Sequence, residues 1–147
     1  MSKPPGWYGQ LKWSSPVSLA VLNTDRSCIP NFSGCYAFTI GRGALLLRKV
    51  LYIGDAESLR QRLAVYLVDW RAPKGHEGHK GKGFVLEARK KHTDQGIYVR
   101  WVEYGGDHNL LEASLIHYLE PQCNDRDESA RVGLLADGER LDRRLLR

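Results

Sequence analysis

The sequence predicts an α+β domain, a small mixed or antiparallel three-stranded sheet flanked by helices, in the order β-β-α-α-β-α. Three observations carry this. Residues 33–40 (SGCYAFTI) and 45–54 (LLLRKVLYIG) are apolar strand formers on either side of a Gly41-Arg42-Gly43 turn, and read as a hairpin. Leu59, Leu63 and Leu67 then recur at every fourth position, the spacing of one buried helical stripe. Residues 97–104 (IYVRWVEY) alternate as a strand, with Ile97, Val99 and Trp101 on one side.

The elements follow in order. Residues 1–30, rich in Pro, Ser and Trp, read as an irregular arm with room for one short element. Trp7, Tyr8 and Trp13 have the chemistry to stack on bases, but aromatics near a terminus more often fold back onto a core. In the hairpin, Gly54 is expected to end the second strand. Asp55 is placed to cap a helix over about residues 56–70. Residues 84–92 have helical character. A final helix over residues 110–119 is stopped by Pro121, and Asn109 and Glu112 have the spacing of a capping box. The end of the tail, LDRRLLR, suits a short amphipathic helix. The expected organisation is an arm (1–32), a core (33–124) and a charged tail (125–147).

A chain of 147 residues, 42% hydrophobic and 27% charged, fits one soluble domain with a real core. No apolar run approaches the roughly 20 residues of a membrane span. The N-terminal residues lack the apolar stretch of a signal peptide. Three widely spaced cysteines (Cys28, Cys35 and Cys123) suit a reducing compartment better than a disulfide framework. The expected setting is cytoplasmic, with no membrane partner.

The net charge of +5 is localised. Residues 70–92 hold seven basic side chains (Arg71, Lys74, Lys80, Lys82, Arg89, Lys90, Lys91) against Glu77 and Glu87. Such a run is often only a solvated face. Here it is interspersed with glycines and histidines, a composition suited to a phosphate backbone. Lys74, Lys80, Lys82, Arg89, Lys90 and Lys91, with Arg60 on the preceding helix, are the candidate nucleic-acid contacts. His76 and His79 lack the cysteines or third ligand that a zinc site needs.

Gly34-Cys35-Tyr36 followed by Tyr52-Ile53-Gly54 resembles the two motifs of the GIY-YIG nucleases. The pattern continues as YIG-D-A-x-x-L-x-x-R-L, with Arg62 where the family has its catalytic arginine. Tyr66 follows where members carry a tyrosine or histidine. Glu112 opens the later helix as the family's metal-binding glutamate does, and the run E-A-S-L-I-H-Y-L-E-P-Q-C-N ends at Asn124. The resemblance covers residues 33–124. It departs at Cys35, where isoleucine is usual, and a free cysteine there should pack as a small hydrophobe. It also departs at Ala56 and Glu57, where some members place a lysine.

The resemblance implies a DNA endonuclease, of the kind used in restriction, repair or homing. Tyr36, Tyr52, Arg62, Tyr66 and Glu112 would form its site, and Glu112 would hold Mg²⁺ or Mn²⁺. Gly34, Gly54 and Asn124 would serve structure, Asn124 by closing the last helix onto the sheet. The chemistry of the residues agrees. Arg62 offers an always-charged bidentate donor for phosphate, and one carboxylate can hold a hard cation that keeps its waters. The resemblance also implies that Tyr36 or Tyr52 takes a proton from water; which of them is left open. The partner would be duplex or branched DNA, with a homodimer or a targeting chain supplying any further specificity. The competing reading is a nucleic-acid-binding module on the same scaffold that cuts nothing.

If the basic run tracks a phosphate backbone, affinity should fall with salt at a log–log slope of about −0.9 per neutralised phosphate. Replacing Lys80 and Lys82 together by Ala should flatten that slope by up to about two units, for all DNA sequences alike. A titration of DNA affinity against salt decides; an unchanged slope would make the run a solvated face.

Overall fold

The computed structural model describes residues 4–45, 49–67, 87, 88, 90–94, 96–124 and 134–146. Their centre is strand β2 (Gly34–Ile40), which is buried along most of its length. It pairs antiparallel with β3 (Val50–Ala56) on one side and with β4 (Ile97–Glu103) on the other. A further strand, β1 (Val17–Ser18), pairs antiparallel with the outer side of β4, giving the order β1-β4-β2-β3. The sheet is therefore four-stranded and wholly antiparallel, not three-stranded. The extra strand falls in the segment read as irregular, and two residues offer no alternation to detect.

Side chains alternate across β2, and both faces are covered. Tyr36 and Phe38 join Tyr52, Ile97, Val99 and Trp101 in one apolar cluster. Helices α2 (Leu19–Thr24) and α3 (Leu59–Ala64) close that face through Leu19, Leu22, Leu59 and Leu63. Cys35 and Ala37 point the other way, against Leu111, Leu115, Ile116 and Leu119 of helix α4 (His108–Leu119). A strand covered on both faces reads as a nearly continuous apolar run, as SGCYAFTI does.

The arm and tail belong to this core. Trp7, on the short helix α1 (Gly6–Gly9), and Leu11 and Leu141 are buried in the α4-side cluster, with Tyr8 and Trp13 partly buried against it. The N–H of Gly6 donates to the carbonyl of Asp137 at 2.7 Å, and that of Leu141 to Oε1 of Gln10 at 2.8 Å. The tail's expected helix is a 3₁₀ turn, Arg143–Leu145, and Leu146 forms an isolated antiparallel bridge with Tyr104. The terminal aromatics thus fold back onto the core.

Three local expectations are corrected. β3 does not end at Gly54 but runs on to Ala56, so Asp55 is a strand residue opposite Cys35. The cap of α3 is Ser58, whose hydroxyl accepts from the N–H of Gln61, and the helix starts at Leu59, not at 56. The Asn109–Glu112 capping box does not form. Asp107 caps α4 by accepting from the N–H of Leu110 at 3.1 Å, which places Asn109 and Glu112 inside the helix. In both helices the cap-forming oxygen belongs to the residue immediately before the first helical turn, where it reaches the third helical N–H without disturbing a strand. Glu87, Ala88, Lys90 and Lys91 are helical, within the segment expected to be so. No described helix is long and apolar enough to cross a membrane.

After α4 the chain turns at Glu120, which adopts a left-handed conformation at φ 48°. It then runs beside β3, with Gln122 and Cys123 donating to the carbonyls of Val50 and Leu51 at 2.9 Å. Asn124 completes the contact with its side chain. Its Oδ1 accepts from the N–H of Ile53 at 2.7 Å, and its Nδ2 donates to the Ile53 carbonyl at 2.8 Å. Asn124→Ala would leave both backbone groups without this partner and should cost about 1–3 kcal/mol. A fall in the urea midpoint at constant m-value checks this; an unchanged midpoint would show that water replaces the amide at no cost.

Candidate functional site

The β2–β3 register sets Tyr36 opposite Gly54 and Phe38 opposite Tyr52, so both tyrosines lie on one face of the hairpin. Their ring centroids are 6.5 Å apart. Tyr66 reaches in from the turn after α3 and shares a hydrogen bond with Tyr36, Oη to Oη 2.8 Å. The Tyr36 ring lies so close over Gly54 that a Cβ there would overlap its Cζ and Oη. At Gly34 a Cβ would run into the carbonyl of Val102 on β4. The two motif glycines are thus requirements of close approach, one for a phenol ring and one for a backbone.

Arg62 on α3 and Glu112 on α4 are both half-buried, and both act electrostatically on the Tyr36 phenol. Burial raises the pKa of that phenol well above the usual tyrosine range. The Tyr66 hydrogen bond and Arg62 oppose the rise, while Tyr52 and Glu112 add to it. Tyr66 is raised further, first by burial and then by Tyr36 and Tyr52, with Arg62 again opposing. Tyr36 and Tyr66 are fully buried, whereas Tyr52 is 9% exposed. Cys35 is sealed beneath α4, its Sγ 3.5 Å from the carbonyl of His108. Burial foremost, then Glu112 and Asp55, push its thiol up, so it packs as the expected small hydrophobe.

A cleft of about 380 Å³ opens between the β3–α3 turn and the start of α4, lined by Asp55, Glu57, Ser58, Gln61, Arg62 and His108 among others. Sequence reasoning missed one pair in it. His108 Nδ1 lies 2.7 Å from Asp55 Oδ2, and both side chains are about four-fifths shielded, at 19% and 20% exposure. Asp55 carried a signal, but of the wrong kind, because it stands just before a helix. His108 carried none.

The structure brings Tyr36, Tyr52 and Tyr66 together, with Arg62 on the wall of the cleft and Glu112 one turn into α4. It places the Asn124 side chain against Ile53 of β3, one residue before Gly54. The basic residues are dispersed or not described. Arg60 is exposed, with its Nε donating to the Ile29 carbonyl at 2.8 Å. Lys90 pairs on the surface with Glu87 at 2.9 Å. Lys91 lines a separate hollow of about 280 Å³ with His92 and Cys123. Lys74, Lys80, Lys82 and Arg89 lie outside the described residues, as do Arg71, His76 and His79. Among the described residues no group of three or more His, Cys, Asp or Glu is arranged to hold a metal ion. Comparison of the chain with protein-family models, with curated proteins and with solved structures gave no match.

The Tyr36–Gly54 contact makes a quantitative expectation. Gly54→Ala should destabilise the fold by about 1–3 kcal/mol through overpacking. Most of that loss should vanish in a Tyr36→Ala background, where the ring is gone. A double-mutant cycle of unfolding free energies measures the coupling, and additive losses would show that the ring does not dictate the glycine.

Proposed function

We propose that this protein is a divalent-metal-dependent DNA endonuclease of the GIY-YIG kind, acting in a reducing cytoplasmic setting. The observation that carries the reading is that Tyr36, Tyr52 and Tyr66 meet on one face of the hairpin, beside the helix that carries Arg62 on the wall of the cleft. Glu112 is not the cap of its helix, since Asp107 does that work, so the simplest structural account of the glutamate is removed. The cysteines Cys28, Cys35 and Cys123 are free thiols, which suits the reducing setting.

Each side chain has a task in this reading. Arg62, on the wall of the cleft, binds the phosphate and offsets the charge that grows on its oxygens in the transition state. Glu112 is a hard oxygen donor, and a lone carboxylate fits a Mg²⁺ or Mn²⁺ ion that keeps most of its waters. Such an ion supplies Lewis-acid charge neutralisation at the reacting phosphate. Tyr36 and Tyr66, buried and joined by their hydroxyls, fix the strand–helix geometry that aims Arg62. DNA is the partner, with its path beyond the cleft assigned to the basic run.

The second reading, a non-catalytic nucleic-acid-binding module, is favoured by the same burial. Phenols held this far from ionisation are poor proton acceptors. Plasmid and branched-DNA cleavage assays separate the two. The enzyme should cut with Mg²⁺ or Mn²⁺ and stop in EDTA. Arg62→Ala should cost about 10²–10³ in kcat, and Glu112→Gln should abolish cutting while the protein stays folded by circular dichroism. Glu112→Gln that cuts at the wild-type rate would remove the metal assignment. Wild type that binds duplex, branched or single-stranded DNA but leaves all three intact with either metal would establish the binding module.

A further inference from the structure

The cleft beside Arg62 contains a histidine–carboxylate pair that the reading above does not use. His108 is the first residue of α4 and Asp55 the penultimate residue of β3, and the two meet at 2.7 Å through Nδ1. A carboxylate only accepts hydrogen bonds, so Nδ1 donates and the neutral ring keeps its lone pair on Nε2. Among the described residues Nε2 has no hydrogen-bond partner and is not a buried atom. The ring lines the same cleft as Arg62.

We propose that His108, oriented by Asp55, is the catalytic base that takes the proton of the attacking water, in place of a tyrosine. This rests on the phosphodiesterase reading. The water oxygen bonds to phosphorus as Nε2 accepts its proton. The opposite P–O bond breaks, the leaving oxygen takes a proton from solvent, and His108 later returns its own. One water is consumed, leaving one phosphate end and one hydroxyl end. Asp55 is then a positioning residue that sets the tautomer.

Two further observations favour the imidazole. Histidine is the side chain whose ordinary titration range lies nearest neutrality, where a general base is most effective. Burial holds both Tyr36 and Tyr66 in the protonated form, and Tyr36 adds to that effect at Tyr66. The charged groups that line the cleft with the ring are Asp55 from β3, Glu57 from the turn after it and Arg62 from α3; on its own element Asp107 precedes it as the cap and Glu112 follows one turn later.

His108→Asn tests this, because its amide N–H can still donate to Asp55 while no basic nitrogen remains. At saturating DNA its kcat should fall by about 10²–10⁴, with melting temperature and DNA affinity close to wild type. His108→Ala should lose as much, and added imidazole should restore its rate by about tenfold or more, increasingly so for more basic imidazoles. Tyr52→Phe should lose less than either. His108→Asn cutting at the wild-type rate, or His108→Ala indifferent to imidazole, would overturn the assignment while leaving the nuclease reading intact. A wild-type protein that cuts nothing would overturn both.

Discussion

The phenol ring of Tyr36 lies over the bare backbone of Gly54, and the geometry of the hairpin's working end follows from that contact. With the ring in place, its hydroxyl meets that of Tyr66, so the turn after α3 is tied to β2 by a buried polar link. Phe38 packs edge-on to Tyr36 at 5.8 Å and against Tyr66 at 4.7 Å, closing an aromatic triangle. Such pairs each add about 0.5–1.5 kcal/mol beyond their burial. Arg62 lies one helical turn before Tyr66, and therefore inherits its place from this packing. A side chain at residue 54 would push the ring away and take the arginine's support with it.

What was legible in the sequence was what repeats. The apolar hairpin, the leucine stripe of α3 and the alternation of Ile97, Val99 and Trp101 are periodic, and period decides which face is buried. What was not legible depends on choices between near-equivalent groups. The stretch Asp55-Ala56-Glu57-Ser58 holds two residues able to cap a helix, and only the extent of β3 decides for Ser58. Asp107 and Asn109 pose the same ambiguity ahead of α4. Tyr36, Tyr52 and Tyr66, taken from motif spacing, do meet, because strand register and helix pitch carry spacing into space. The Asp55–His108 contact joins residues from opposite ends of the core, and no local pattern encodes it.

The burial that organises the tyrosines also limits them. A phenol surrounded by Phe38, Leu63 and Ile97 is a good spacer and a poor acid, since its anion would lie in a medium that solvates charge badly. The polar groups open to the cleft are instead those on its wall, Arg62, Asp55 and His108. The buried tyrosines hold the geometry, and the solvent-accessible polar groups stay at its rim.

The path of residues 122–124 alongside β3 has a consequence for how copies of this chain meet. β3 is the outermost strand on its side, and Gln122, Cys123 and the Asn124 amide take up the backbone groups of Val50, Leu51 and Ile53 along its free side. The opposite margin is β1, only two residues long and followed at once by α2. A neighbouring chain seeking to extend the sheet finds one margin already covered and the other too short to template a ladder. Self-association by edge-to-edge strand addition is thereby blocked at both ends of the described sheet. Between the described surfaces, a dimer would form through side chains, across a helical or loop face.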